Sequence, residues 1–324
     1  TSKLGAANIT NTYDANGFLA STNHSSAVKP SILQLSYSFD AIKNELKSRT
    51  TGGDFSISEN FNYDDNNRLI NWTNPVTGIK PPANRNIYDI KGRIMENDQV
   101  GTMKFENSTK IYQTTGMTLN AAGTQNYNGD LIQTVVYNEN NDPVQINGEK
   151  SRISFEYGLG NMRQRIDISS LTQNAKNPIW EDTYTKFYSE DGSFEVVKDL
   201  MSAQEKHILY IGGSPYESDI VYLKNFEQSS GSYKFLHKDY LGSILAVTDQ
   251  TGNRLEQRHY DAWGNITHLK IGNAPVITDK GVIAEASLII DRGYTGHEHF
   301  MGVGIIHMNG RQIGRASCRE RVSS

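Results

Sequence analysis

The stretch GHEHFMGVGIIH, residues 296–307, brings His297, Glu298, His299 and His307 close together. Histidine and carboxylate are ligands from which zinc sites are built. The spacing fits a metal poorly, because His-Glu-His lacks the i, i+4 histidine pair of a zinc-protease helix. On a strand, alternation sends His297 and His299 to one face and Glu298 to the other. A structural hydrogen-bonding role suits these residues better. A second group, His237-Lys238-Asp239 with Ser243, holds the residue types of a hydrolase. It lacks a Gly-x-Ser-x-Gly elbow or another setting for a nucleophile, so packing at a strand end is expected. There is also no phosphate loop or dinucleotide fingerprint. The sequence therefore assigns no catalytic residue, no metal ligand and no cofactor.

The elements that position these groups are repetitive. YDANGFL at Tyr13, FDAIKNEL at Phe39, YDDNNRL at Tyr63, YDIKGRI at Tyr88, YNENNDPV at Tyr137 and YDAWGNI at Tyr260 are variants of one motif. The first four follow one another at 26, 24 and 25 residues, and Tyr137 comes 49 residues after Tyr88. A fixed period in this range marks a repeat architecture. In Tyr13-Asp14 and Tyr88-Asp89 the Asp and the Gly (Gly17, Gly92) take the first and fourth positions of a four-residue turn. There Asp accepts hydrogen bonds from the turn amides and Gly tolerates the left-handed conformation. Tyr63-Asp64 has Asn67 at the Gly position and the Tyr137 unit has Asn141, the next-best choice for positive φ. Leu19, Leu69, Ile94 and Ile266 lie just beyond four of these turns and are expected to face the aromatic across the hairpin. Each unit thus reads as strand, turn, strand with one buried aromatic. The best helical candidate, SFDAIKNELKSR from Ser38, falls where a repeat is due and is read as strand–loop–strand. The Pro-rich segment 74–86 reads as a loop. The expected fold is all-β and antiparallel.

Composition agrees with this reading. Among the 324 residues, 17 Tyr suit half-buried strands and 28 Gly suit turns. The net charge of -4, without long runs of one sign, argues against nucleic acid as the main partner. No apolar run approaches the roughly 20 residues that span a bilayer. The opening TSKLGAANIT has no leader and sits beside a repeat, so the chain reads as an internal fragment whose missing signal says nothing of export. Residues 312–324, QIGRASCRERVSS, carry the only cysteine, Cys318. They back-translate largely into a common sequencing adapter and are read as an artefact tail.

From Lys234 several distinct motifs appear in order: His237, Asp239, Gly242 and Ser243; then Tyr260, Asp261, Trp263 and Gly264; then Gly296, His297 and Glu298; and last Asn309, Gly310 and Arg311. Together with Tyr13, Asp14, Gly17, Tyr63, Asp64, Tyr88, Asp89, Gly92 and Arg93, they resemble the RHS-repeat or YD-repeat family with its associated core domain. The resemblance implies YD repeats over residues 1–200 and a truncated core domain over 201–311. It also implies a spiral β-sheet that winds into a hollow shell, as in polymorphic toxins and the C component of Tc-type toxin complexes. The function to expect is then that of a non-enzymatic wall of an exported bacterial protein, secreted or at the cell surface, encapsulating or presenting its own C-terminal toxin domain. Secretion-system or toxin-complex components would be further partners. The alternative is a cell-surface adhesion or carbohydrate-binding protein with the same repeats. In toxin members a self-cleaving segment with aspartates follows Asn-Gly-Arg; the match here stops at Arg311, so no catalytic residue is carried over.

Overall fold

The computed structural model describes residues 1–98, 101–109, 111–112, 116–118, 126–127, 134–140, 142–148, 150–159, 162–172, 179–307 and 312–314. It is all-β and antiparallel, with one short helix, Lys280–Glu285, whose N-cap Asp279 accepts from Val282 N. Two compact units divide the chain. The first comprises Thr1–Leu131, Thr251–Ala286 and Gln312–Ser324, the second Ile132–Gln250 and Ser287–Arg311.

In the first unit, seven strands from Ser2–Leu4 to Leu69–Trp72 pair in chain order. A five-stranded sheet follows, from Asn86–Tyr88 to Asn126–Tyr127. A hairpin, Arg254–Tyr260 with Ile266–Ile271, completes the unit. In the second unit ten strands from Thr134–Tyr137 to Ile244–Thr248 again pair with their neighbours in sequence, and the hairpin Glu298–Phe300/Ile305–His307 packs with them. Its core has two parts. One gathers Ile208, Tyr210, Val221, Leu223, Leu236 and Ile290; the other sets Phe300, Val303 and Ile305 against Ile146, Phe155 and Ile166.

The turns form as their residues dictate. Gly92 N donates to Asp89 O at 3.0 Å, and Asp89 Oδ1 accepts from Lys91 N and Arg93 N at 2.9 Å each. Asp14 and Asp64 cap their turns in the same way. Gly92 has φ +77° and Asn67 φ +56°, the left-handed conformation that glycine and asparagine accept most easily. Tyr13, Tyr63, Tyr88 and Tyr260 lie directly opposite Leu19, Leu69, Ile94 and Ile266, each one residue after a register shift. The segment around Phe39 is strand–loop–strand, Leu33–Asp40 and Glu45–Gly52.

One expectation fails. Tyr260 is buried, while Tyr63 and Tyr88 are half-buried and Tyr13 is 64 % exposed. Tyr13 ends the strand Ala7–Tyr13, whose outer neighbour Ser2–Leu4 pairs only with Ala7, Asn8 and Ile9, so among the described residues no strand flanks its far end on that side.

The aromatic is better described as a seat for the preceding turn. Arg93 Nε donates to Asp89 Oδ2 at 2.6 Å, its guanidinium lies 4.8 Å from the Phe105 ring, and its Nη1 donates to Ile111 O at 2.9 Å. One repeat earlier, Arg68 bonds Asp64 Oδ2 at 2.7 Å, covers the Tyr88 ring at 4.5 Å and reaches Asp89 O at 3.2 Å. At the first turn the corresponding residue is Phe18, which stacks on Phe39 at 5.2 Å. The residue after the glycine therefore joins one hairpin to the next.

Arg93→Ala is expected to lower stability by about 1–2 kcal/mol, the sum of one partly exposed ion pair, one cation–π contact and one hydrogen bond. Arg93→Lys should recover less than half, since a point charge cannot serve three partners in different directions. Urea denaturation of the three proteins checks both.

Candidate functional site

In the second unit, residues 287–307 bring the motif around Glu298 onto the ten-stranded sheet. The inward phase of three strands carries charge. Arg163 opens Arg163–Leu171, Lys186 and Tyr188 end Trp180–Tyr188, and Glu195 follows on Phe194–Asp199, with Tyr188 paired to Glu195 across the ladder. Glu298 enters between the cations: Lys186 Nζ donates to its Oε1 at 2.6 Å, Tyr188 OH donates to it at 2.8 Å, and Arg163 Nη2 pairs with its Oε2. Lys186 Nζ also lies 2.8 Å from Glu195 Oε2 and 3.6 Å from Asp291. Arg292 donates through Nε and Nη2 to Glu195 Oε1 at 3.0 and 2.8 Å. Arg163, Lys186 and Arg292 thus face Glu195, Glu298 and Asp291, and the charges cancel. Aromatic faces complete the packing, with Arg163 over Tyr188 at 4.3 Å and Arg292 over Tyr216 at 5.3 Å.

The electrostatics follow from this balance. Burial pushes the Glu298 carboxyl up, but Arg163 and Lys186 overrule it and hold the group well below the ordinary carboxylate range. Burial pulls Lys186 down, and Glu195 and Glu298 more than restore it. The cluster stays charged, paired and buried, which suits it to fastening the segment rather than to proton transfer. Alternation along Glu298–Phe300 sets Glu298 and His299 on opposite faces, while His307, paired with Glu298 across the hairpin, shares its face. His297 Nδ1 is 2.8 Å from Thr295 Oγ1, and His299 Nε2 accepts from Tyr294 N at 2.9 Å. Gly296 is at φ +73°, and a Cβ there would sit 3.3 Å from the Tyr216 ring.

The group at His237 is also explained. His237 Nε2 is 3.0 Å from Thr248 Oγ1. Asp239 accepts from Leu241 N and Ser243 N, and Gly242 N donates to Asp239 O, so 239–242 is the repeat turn again. Ser243 takes the position of the clamping arginine, and its hydroxyl accepts from Thr295 N at 3.1 Å.

The remaining motif residues lie in the first unit. Asp261 caps its turn through Trp263 N and Asn265 N, Gly264 N donates to Asp261 O, and Trp263 meets Trp72 edge-on at 6.1 Å. The strand before this turn docks through buried polar groups. Arg49 Nη2 bonds Glu59 Oε2 at 2.5 Å and donates to Tyr260 O at 2.8 Å, while His259 Nε2 donates to Glu59 at 3.0 Å. Burial lowers His259 below the usual histidine value, outweighing Glu59. Asn309, Gly310 and Arg311 lie outside the described residues.

Arg163, Lys186, Glu195 and Arg292, and in the first unit Arg49, Glu59 and His259, were not singled out in the sequence. For Lys186 and Glu195 a signal existed, namely a charge at the inward phase of an alternating strand. Among the described residues no group of three or more His, Cys, Asp or Glu is placed to hold a metal ion.

No protein-family model and no curated protein matches the sequence. Solved structures do. The crystal structure of TcdB2-TccC3-TEV aligns with a TM-score of 0.50 at 13 % identity, covering 94 % of this chain and 18 % of that one. The Photorhabdus luminescens Tc holotoxin pore carrying a TccC3 mutation aligns at 0.49 and 12 %, covering 95 % and 17 %. The likeness to TcdB2-TccC3-TEV is one of fold, and this chain spans under a fifth of that chain's length.

Glu298→Gln is expected to cost about 3–5 kcal/mol, because it leaves buried cations short of one negative charge. Melting temperature read by circular dichroism checks it. Acid should act in the same direction. Burial lowers His307 to about 3 and His268 to about 4, against 6.5 for both unfolded. Between those values the unfolded chain binds more protons, so stability falls as pH drops below about 6.5. The depressed Glu298 adds its loss only below its ordinary 4.5. Going from pH 7.5 to 5, His307 alone should remove up to about 2 kcal/mol, and His307→Leu should flatten the profile accordingly.

Proposed function

We propose that this chain is a wall segment of an exported bacterial shell protein of the RHS or YD-repeat kind, which encloses or presents a C-terminal toxin domain of the same longer protein. The observation that carries the reading is the contact that the residue closing each of three turns, Phe18, Arg68 and Arg93, makes with the hairpin that follows, which couples successive hairpins of the first unit. The fold likeness to TcdB2-TccC3-TEV supports the shell, and the neutralised buried charges support a structural use for the core-domain motif. Secretion-system or toxin-complex components fit as further partners, and turnover of an external substrate forms no part of this role. A carbohydrate-binding surface protein is the second reading. In its favour stand half-exposed rings on one face of the second unit's sheet, Phe187, Tyr222 and Tyr233, the last two meeting edge-on at 5.2 Å.

The test uses the full-length parent protein. Its C-terminal domain is expected to resist protease and stay inactive while the repeats are folded, and to become digestible once denaturant opens them. A domain digested equally fast with and without the repeats would end the containment reading. Glycan binding lost in Tyr222→Ala/Tyr233→Ala would favour the second.

A further inference from the structure

The Asp turns of the first unit each leave one residue of the following strand unpaired, where the register shifts beside the turn. Ala20, Lys47, Ile70 and Met95 hold that place in the repeats. In the hairpin 254–271 it falls to Thr267, between the pairs His259 with His268 and Tyr260 with Ile266. A bulge re-aims the side chain it carries. Here it sets a hydroxyl between two imidazoles: Thr267 Oγ1 is 2.8 Å from His259 Nδ1 and 3.2 Å from His268 Nδ1. His259 Nε2 lies 3.0 Å from Glu59 Oε2. Burial keeps His259 below the usual histidine value, so it is neutral at pH 7.5 and every proton in this chain has one direction. A carboxylate only accepts, so His259 carries its hydrogen on Nε2 and presents a lone pair at Nδ1. Thr267 spends its single proton on that lone pair, since the competing His259 carbonyl is farther away at 3.4 Å. His268 Nδ1 must then donate to the Thr267 oxygen. Glu59, His259 and Thr267 are buried, whereas His268 is half-buried and its Nε2 bonds no protein group among the described residues.

We propose that His268, Thr267 and His259 relay a solvent proton to the Glu59 contact, and that its arrival releases the hairpin 254–271 from the strands Glu45–Gly52 and Ile57–Tyr63. A proton from solvent joins His268 Nε2, His268 Nδ1 passes its own to Thr267 Oγ1, and Thr267 gives its own to His259 Nδ1. One proton enters, one is gained at His259, and the hydroxyl is restored. The imidazolium then shares Glu59 with Arg49, whose Nη2 bonds that carboxylate and Tyr260 O. The other carboxylate near His259, Asp261, is engaged by Trp263 N and Asn265 N of its own turn, and His268 brings no negative charge. Two cations on one buried carboxylate leave a charge without a partner, which loosens the grip on Tyr260. The sign follows from burial, which lowers His259 and brings His268 to about 4, against 6.5 for both unfolded. The docked hairpin binds fewer protons, so docking is at full strength above pH 6.5 and weakens as pH falls toward 4. The device goes beyond the wall reading and holds whatever the sheet encloses.

Long-range proton–nitrogen NMR of the histidine-labelled chain reads the tautomers. At pH 7.5 His259 should carry its hydrogen on Nε2 and His268 on Nδ1, the form a free imidazole disfavours. Thr267→Val should return His268 to the Nε2 form. Hydrogen–deuterium exchange, corrected for the intrinsic effect of pH, reads the release. Between pH 7.5 and 5 it should rise roughly tenfold in peptides from 45–63 and 254–271, the equivalent of one unit of pKa, and stay level in 86–98. His259→Gln can still donate to Glu59 but cannot charge, so it should keep its protection at pH 5. The wild-type measurements stand whether or not the variants fold. A hydrogen on Nε2 of His268 in the folded wild-type chain at pH 7.5 would overturn the relay. Exchange unchanged at pH 5, an acid increase that reaches 86–98 equally, or one that persists in His259→Gln would overturn the release.

Discussion

Asp89 uses one carboxylate oxygen to cap its own turn and the other to hold Arg93, and the guanidinium then reaches the next hairpin's ring and carbonyl. An isolated two-stranded hairpin is marginal in water, because it has too little apolar face to offset the entropy of ordering it. The arginine solves this locally. It carries the order of a finished turn into the one being formed, and the contact survives a change of chemistry where Phe18 stacks on Phe39 instead. Repeat proteins in general draw their stability from such nearest-neighbour terms.

The charge cluster in the second unit works on another scale. Its cations and carboxylates come from three strands and from residues 287–307, and Glu195 and Glu298 each lie between two cations. Burying ions is expensive, and a paired cluster contributes little net stability compared with apolar packing. What it supplies is discrimination. A segment shifted by one residue would point Glu298 away from Arg163 and Lys186, taking from Arg163 its carboxylate and leaving Lys186 to Glu195. The neighbouring apolar contacts of Phe300, Val303 and Ile305 supply the burial, and the charges fix the register.

How much of this was legible in the sequence depended on how local the physics was. Asp, Gly and Asn at the turns could be read directly, because the hydrogen bonds that require them close within four residues. The antiparallel hairpins followed from the same turns. The arginine after the glycine was visible as a recurring letter, but its partner lies about a repeat away and required coordinates. Tyr13 misled because its burial depends on an adjacent strand rather than on its own motif. Asp239 belonged to the core-domain block in the sequence and proves to be one more repeat turn, hidden because Lys238 replaces the usual aromatic. Lys186 and Glu195 escaped because single charges inside a strand resemble surface residues until the facing segment is known.

The wiring also sets an order of events. Because each strand bonds chiefly to its neighbours along the chain, hairpins can close one after another as they leave a ribosome, and a force applied at one end peels them apart rung by rung. Residues 287–307 break that rule, since Arg292 meets a partner 97 positions back and Glu298 one 135 positions back. They can join only after the earlier strands stand, so they act as a latch on a zipper, and mechanical opening of the second unit must first draw Arg292 and Glu298 out of a dry seat.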